Sequence, residues 1–361
     1  MAERTRIVAF DYLRGFVTSL VVLHHSVLAY CRYGHFDRLH YLWSTAPIVD
    51  DTKWIGFDVL VLFNDSYFMP LMFLLSGLFV WQGLQRKGGA AYLGGRLRRL
   101  GLPFAIAVVT AIPLAYYPSF RMTGSTIGFA DFWVETIFSG PWPSGPAWFL
   151  AVLLGFDCVA AMVFGTVRRA SSSGNVVPFL ILAIVSAAAY FPMLWLFGPT
   201  YWFSFGPFAV QASRVGLYGV YFLAGVVVGP RPRDDRSWRV WALLAVTLFI
   251  CLIWVVFARP AGWLNLYGVG LILFCAAANF AWFTIFSRFA RHPSTVGDSL
   301  AANAYGIYLV HYPVVIWMQF ALLNVPVDAI VKAALVFSVA LSLSWGIAIV
   351  LRRMPGAAQL I

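Results

Sequence analysis

Long apolar stretches broken by shorter polar ones run the whole length of the chain. Ten apolar segments stand out, near residues 8–31, 57–82, 100–117, 147–166, 176–196, 213–229, 240–258, 263–286, 298–320 and 328–351. Most are close to the roughly 20 residues that an α-helix needs to cross a hydrocarbon core of about 30 Å. The pattern predicts an all-α fold: a polytopic integral membrane protein of about ten transmembrane helices, with residues 1–361 forming one membrane-embedded domain. No internal repeat or inverted half-symmetry is visible in it.

Composition sharpens this reading. The chain is 61% hydrophobic, 17% aromatic and only 11% charged, against about 25% charged residues in soluble domains. The polar segments left over are too small for a soluble domain of ordinary size. The net charge of +11 is explained by its distribution. With the N-terminus inside, 17 of the 25 Lys and Arg residues fall in cytoplasmic segments. External loops hold only Arg32, Arg38, Lys53, Arg121 and Arg259, while Arg14, Arg214 and Lys332 lie within helices. The positive-inside rule therefore predicts both termini in the cytoplasm, with the lipid bilayer as the main partner and no nucleic acid. An inner (cell) membrane protein with many passes is expected. Cys31, Cys158, Cys251 and Cys275 are scattered without metal-ligand spacing and read as small apolar fillers, so no metal site is expected.

Three predicted external loops are rich in aromatics. Residues 32–56 carry Trp43 beside Asp37, Asp50 and Asp51; residues 118–146 carry Trp133 and Trp142 beside Asp131 and Glu135; residues 197–212 carry Tyr201 and Trp202. Such residues form interfacial belts, and aromatics beside carboxylates also suit sugar binding. Both readings stay open.

Ionisable groups inside a bilayer are costly and are functional candidates by default. The first segment holds Asp11, Arg14, His24 and His25. Eleven residues turn a helix about 20° past three turns, so Arg14 and His25 share one face about 16 Å apart, and Asp11 sits one turn before Arg14 on that face. His24 points about 100° away, as a supporting residue. Asn64-Asp65 on the second segment and His311 on the ninth fall at a depth similar to His25. Three ionisable groups on three helices at one depth predict a polar cavity that opens outward.

Several blocks carry a family resemblance. Arg14 with ten intervening residues before His25, the stretch Phe68 to Gly77, the basic turn Arg96-Leu-Arg98-Arg99-Leu-Gly-Leu-Pro103, Trp148-Phe-Leu150 and Tyr305-Gly-Ile-Tyr308-Leu-Val-His311-Tyr-Pro313 follow in order. Together they resemble the signatures of the acyltransferase-3 family of integral membrane O-acyltransferases. The resemblance covers residues 6 to 313. Surface-sugar acetyltransferases of that family carry a Glu five residues after the central Trp; here the position is Leu153, and Asp157 follows nine residues after the Trp. The Trp-Phe-Leu form resembles the glucan-modifying, succinyltransferase-like branch instead.

The resemblance implies acyl transfer, acetyl, succinyl or similar, from cytoplasmic acyl-coenzyme A to a hydroxyl of an extracytoplasmic carbohydrate or glycan in the cell envelope. No permanently bound cofactor is implied; acyl-coenzyme A is the donor substrate. Such chemistry needs a base for the hydroxyl proton, which a histidine can be because its pKa lies near working pH. It also needs donors for the oxyanion and cations for the donor phosphates. His25, Arg14, Asp65 and His311 are the catalytic candidates, with Asp65 as an orienter of an imidazole. Asp11, His24, Asn64, Trp148, Tyr305, Tyr308, Arg96, Arg98 and Arg99 are the binding candidates. Each has a plainer reading: interhelical hydrogen bonding for the histidines and tyrosines, pairing with Asp11 for Arg14, packing for Trp148 and a topology signal for the three arginines. Two rival functions remain. A secondary transporter could use the Arg, His and Asp groups as a proton or anion relay, though broken-helix repeats are not seen. A sensor or scaffold would leave His25 dispensable.

Overall fold

The computed structural model describes residues 8–143, 145–164, 178–230 and 236–360. Over the described residues, all ten predicted segments are mainly helical. The first is α1 (Val8–Leu28); the second is α2 (Ile55–Gly77), continued by α3 (Val80–Lys87). The third is not one helix. It enters through α4 (Gly89–Arg96) and a π-helical turn at Leu97–Gly101, then runs as α5 (Leu102–Val109) and α6 (Ala111–Met122). A short α7 (Phe129–Phe138) lies between the third and fourth segments. The remaining segments are α8 (Trp148–Phe164), α9 (Phe179–Phe197), α10 (Val215–Val228), α11 (Trp238–Ala258), α12 (Trp263–Phe289), α13 (Thr295–Leu322) and α14 (Ala329–Arg353). Among the described residues the only sheet is a hairpin of β1 (Trp202–Phe205) and β2 (Phe208–Gln211), with Trp202 opposite Gln211. The protein is an all-α polytopic membrane protein.

Eight helical stretches among the described residues are long and apolar enough to cross a membrane. α1 and α10 fall short, for different reasons. α1 carries Asp11, Arg14, His24 and His25, and α10 has only 14 residues, about 21 Å. α12 is the most enclosed of the eight, whereas α11 and α14 bury little of their surface and face lipid.

Prolines explain why the third segment breaks. Pro113 and Pro118 have no N–H, so the carbonyls four residues earlier, Val109 and Leu114, lose their helical donors. Inside a membrane a freed carbonyl must find another donor. The indole N–H of Trp133 donates to Val109 O at 2.7 Å, and that of Trp317 donates to Leu114 O at 2.9 Å. The helix is thus bent where α7 and α13 can supply an indole.

α2 and α10 pack backbone to backbone. A Cβ on Gly77 would meet the Phe222 carbonyl and one on Gly225 would meet the Leu74 carbonyl, the close approach that small residues permit in membranes. This contact, with Arg214 beside Asp65, sets α10 parallel to α2 with its first turn level with Asp65. That point lies ten residues, about 15 Å, into α2. The hairpin that precedes α10 therefore reaches the interior of the membrane. Non-helical backbone is tolerated at that depth only where protein or a water-filled cavity surrounds it.

Candidate active site

α1 and α13 lie side by side, parallel and in register. At the inner end the Tyr12 hydroxyl accepts from Ser294 N at 2.6 Å and donates to Asp298 at 2.9 Å. At the outer end the Gln319 amide donates to the carbonyls of His25, 2.8 Å, and Ser26, 3.2 Å. The last-turn carbonyls of a helix lack helical donors, and here the Tyr30 N–H turns back to Val27. Gln319 thus caps α1 from its neighbour. Tyr12 and His25 are thirteen residues apart, as are Asp298 and His311. The register therefore brings the two imidazoles together, with ring centroids 5.4 Å apart.

The tautomer of His311 follows from its surroundings. Its Nδ1 lies 2.7 Å from the Tyr308 carbonyl, which can only accept, so Nδ1 carries the hydrogen and Nε2 keeps a lone pair. That Nε2 is buried and has no hydrogen-bond partner among the described residues. His25 Nδ1 is buried without a partner in the same sense. Tyr312 packs edge-on against His25 at 5.0 Å, and His24 packs against Phe68 at 5.1 Å on the other side.

Asp65 does not orient an imidazole. Its carboxylate pairs with Arg214 at 2.7 Å, and Arg214 also donates to the Asp65 carbonyl at 2.6 Å and to the Tyr267 hydroxyl at 3.3 Å. The orienting acceptor on the site histidine is the Tyr308 backbone instead. The expected convergence of His25, Asp65 and His311 thus resolves into a histidine pair and a neighbouring ion pair, with His24 within electrostatic range of Asp65 and Arg214. Asn64 is fully buried, and both its amide atoms lack partners among the described residues.

The predicted donor end is assembled from α1, α2, α4 and α13. Arg14 sits 3.5 Å from Asp11, as the spacing predicts, with its guanidinium 5.8 Å from the Phe79 ring. Arg96 departs from its expected role. It pairs with the buried Asp157 at 2.5 Å, and Tyr92 donates to the same carboxylate at 2.6 Å. Arg96 therefore ties α4 to α8, and of the three arginines of the basic turn only Arg98 and Arg99 are exposed. The Tyr305 hydroxyl donates to the Arg99 carbonyl. Tyr305, Tyr308 and His311 form a column on α13, about 9 Å long, from the arginine turn to the imidazoles. The Tyr308 hydroxyl donates to the Pro146 carbonyl, which fixes the segment entering α8. Trp148, the first residue of α8, is buried and stacks on Tyr218 at 5.5 Å.

A family model described as an acyltransferase domain, acyltransferase-3, matches residues 7–349. The chain belongs to the acyltransferase-3 family. Searches of curated proteins and of solved structures returned no match. As a member of an acyltransferase family it is an enzyme that transfers acyl groups.

Within this acyltransferase, four residues that matter to the site were not singled out from sequence. Arg214 and Lys332 stood out only as cations inside apolar segments. Their cost in a bilayer was the available signal, but their partners lie far away in sequence. Arg214 meets Asp65, and Lys332 meets Asp50 of the external loop at 2.7 Å, with both side chains buried. Asp157 stood out only as a carboxylate nine residues after the central Trp and Gln319 not at all, because a single polar residue in an apolar run does not show which neighbour it will face. Of the cysteines, all expected to be buried, Cys31 and Cys275 are, but Cys158 is half-buried and Cys251 is exposed on the little-buried α11; all four are unpaired thiols.

Proposed function

We propose that this acyltransferase moves an acyl group from cytoplasmic acyl-coenzyme A to a hydroxyl of an extracytoplasmic carbohydrate, at an inner membrane with both termini in the cytoplasm. The observation that carries the reading is the histidine pair, a buried His311 beside a half-buried His25. His311 presents an unpartnered Nε2 because Tyr308 holds its Nδ1–H, and it does so beside His25. A lone pair held in one orientation at membrane depth suits proton abstraction.

In the reaction the acceptor oxygen attacks the thioester carbonyl. A C–O bond forms and the C–S bond breaks, and the hydroxyl proton passes to an imidazole and on to the departing thiolate. Transfer is direct or through a bound intermediate. Arg14, with the exposed Arg98 and Arg99, lies at the end where donor phosphates enter; a guanidinium binds phosphate oxygens in pairs. The Tyr305–Tyr308–His311 column supports the reading, because it joins that end to the imidazoles.

The test uses detergent-purified protein, labelled acyl-coenzyme A and a glycan extract of the cell envelope, read by mass spectrometry. His25→Ala and His311→Ala should each lower turnover by roughly 10² to 10⁴, the usual contribution of a general base, because the two imidazoles adjoin, and His24→Ala by much less. The wild-type rate should rise with pH as the base loses its proton. Full activity in His25→Ala, or equal losses at His24 and His25, would refute the assignment. Flux of an unmodified solute in proteoliposomes without donor would instead favour the transporter.

A further inference from the structure

The two site imidazoles are held in different ways. His311 is oriented by a hydrogen bond from its Nδ1 to the Tyr308 carbonyl. His25 has no such anchor at Nδ1, which lacks a partner among the described residues. The ring contacts around it are Tyr312 edge-on at 5.0 Å, His311 at 5.4 Å and the adjoining His24 at 5.4 Å. A side chain without a hydrogen bond is aimed by whatever packs against it. Tyr312 is the largest of these neighbours, makes the closest ring contact and is only 5% exposed. It is the residue able to fix the direction of the His25 imidazole.

Tyr312 is itself clamped, by the turn that enters α8. Gly145 has φ +45°, a left-handed conformation that glycine adopts freely. A Cβ at Gly145 would stand 2.5 Å from Ile112 Cδ1 and 3.3 Å from Tyr312 Cε1, so the turn lies directly on the tyrosine ring. One residue later, the Pro146 carbonyl accepts from the Tyr308 hydroxyl. Tyr308 and Tyr312 are four residues apart and share one face of α13. The first tyrosine therefore holds the turn, and the turn holds the second. Tyr116 of α6 adds a further contact, with its ring 6.1 Å from that of Tyr312. A small cavity of about 10 Å³ is lined by both tyrosines together with Ala107, Ala111, Pro146 and Ala147. A void gives a ring no contacts on that side, so the clamp, more than close packing, keeps Tyr312 against His25.

We propose that Tyr312 is the positioning residue for His25, and that the Gly145–Pro146 turn, held by the Tyr308 hydroxyl, keeps its ring against the imidazole. Tyr312 acts through its ring and takes no part in proton transfer. The role rests on the acyl-transfer reading given above, in which an imidazole takes the hydroxyl proton. Reacting groups displaced by about 1 Å lose on the order of 10²-fold in rate. A ring that aims one imidazole therefore governs kcat and leaves the binding of donor and acceptor alone.

The test is a double-mutant cycle on the full-length, purified protein. The donor is labelled acyl-coenzyme A, and the acceptor is the envelope glycan extract from cells that lack the protein. Tyr312→Leu keeps an apolar side chain but removes the ring. It should lower kcat about tenfold to hundredfold, with both KM values changed less than about twofold. Tyr312→Phe keeps the ring and should retain most of the wild-type kcat. In a His25→Ala background, Tyr312→Leu should cause no further loss, because a positioning residue acts only through the group it positions. Gly145→Ala probes the clamp separately. Made together with Ile112→Ala, which removes the clash with the isoleucine, it should lower kcat about tenfold relative to Ile112→Ala alone, and not at all when His25 is alanine. This pair tests the role even if Tyr312→Leu does not fold. Unchanged kcat in folded Tyr312→Leu, a Tyr312→Phe loss as large as that of Tyr312→Leu, or equal losses with and without His25 would each overturn the positioning role while leaving acyl transfer standing. No transfer by the wild-type protein refutes the acyl-transfer reading and this role with it.

Discussion

Replacing Gln319 by leucine tests whether the register of α1 against α13 sets the chemistry. Gln319 is 1% exposed and its amide supplies hydrogen bonds to two carbonyls at the end of α1. Leucine fills a similar volume, so packing is largely kept. What is lost is the donor, and a buried acceptor left unsatisfied costs about 1–3 kcal/mol. Gln319→Leu should therefore destabilise the protein by about 2 kcal/mol. The Tyr12–Asp298 contact would remain, but it lies thirteen residues, about 20 Å, below the imidazoles. The outer ends of α1 and α13 would then be free to splay. A displacement of about 1 Å between reacting groups costs on the order of 10²-fold in rate, so turnover should fall about tenfold to hundredfold although no reacting group has changed. The assay pairs turnover from acyl-coenzyme A with thermal unfolding of the detergent-solubilised protein. Lower stability with undiminished turnover would refute the link between the capping bonds and the histidine geometry.

Lys332→Met should destabilise by about 3–5 kcal/mol, because it leaves Asp50 buried without its partner; Lys332→Met with Asp50→Leu should recover most of that in the same unfolding measurement, and equal losses would contradict a coupled pair. Arg96→Met should lower stability more than Arg98→Met or Arg99→Met, since only Arg96 pairs with the buried Asp157. Donor affinity by calorimetry should instead follow Arg14, Arg98 and Arg99, and a donor-affinity loss confined to Arg96→Met would reverse the assignment. Reporter fusions should place both termini in the cytoplasm, and an external C-terminus would mean that the number of crossings is wrong.

The fold class was legible from hydrophobic pattern alone, because a bilayer imposes one rule on every residue of a span: apolar side chains and internally satisfied backbone. Ten apolar runs gave ten helical regions, and Arg14, His25 and His311 could be picked out because charge and imidazole are costly there. The break in the third span was also written locally, in Pro113 and Pro118, although the indoles that satisfy the freed carbonyls come from α7 and α13. Partners were a different matter. Depth along a helix can be counted in residues, but the direction a polar side chain faces depends on which helix packs beside it. Asp65 could be placed at the histidines' depth from sequence, yet only the packing of α10 against α2 turned it toward Arg214. The basic turn read as three equivalent arginines until α8 brought Asp157 to one of them. The 14-residue α10 read as an ordinary span and the hairpin before it as an aromatic-rich external loop, because apolar and aromatic content does not show where a short helix starts or how a loop folds back. The tertiary structure decided these points because an ion pair between residues 149 apart in sequence exists only after two helices have met.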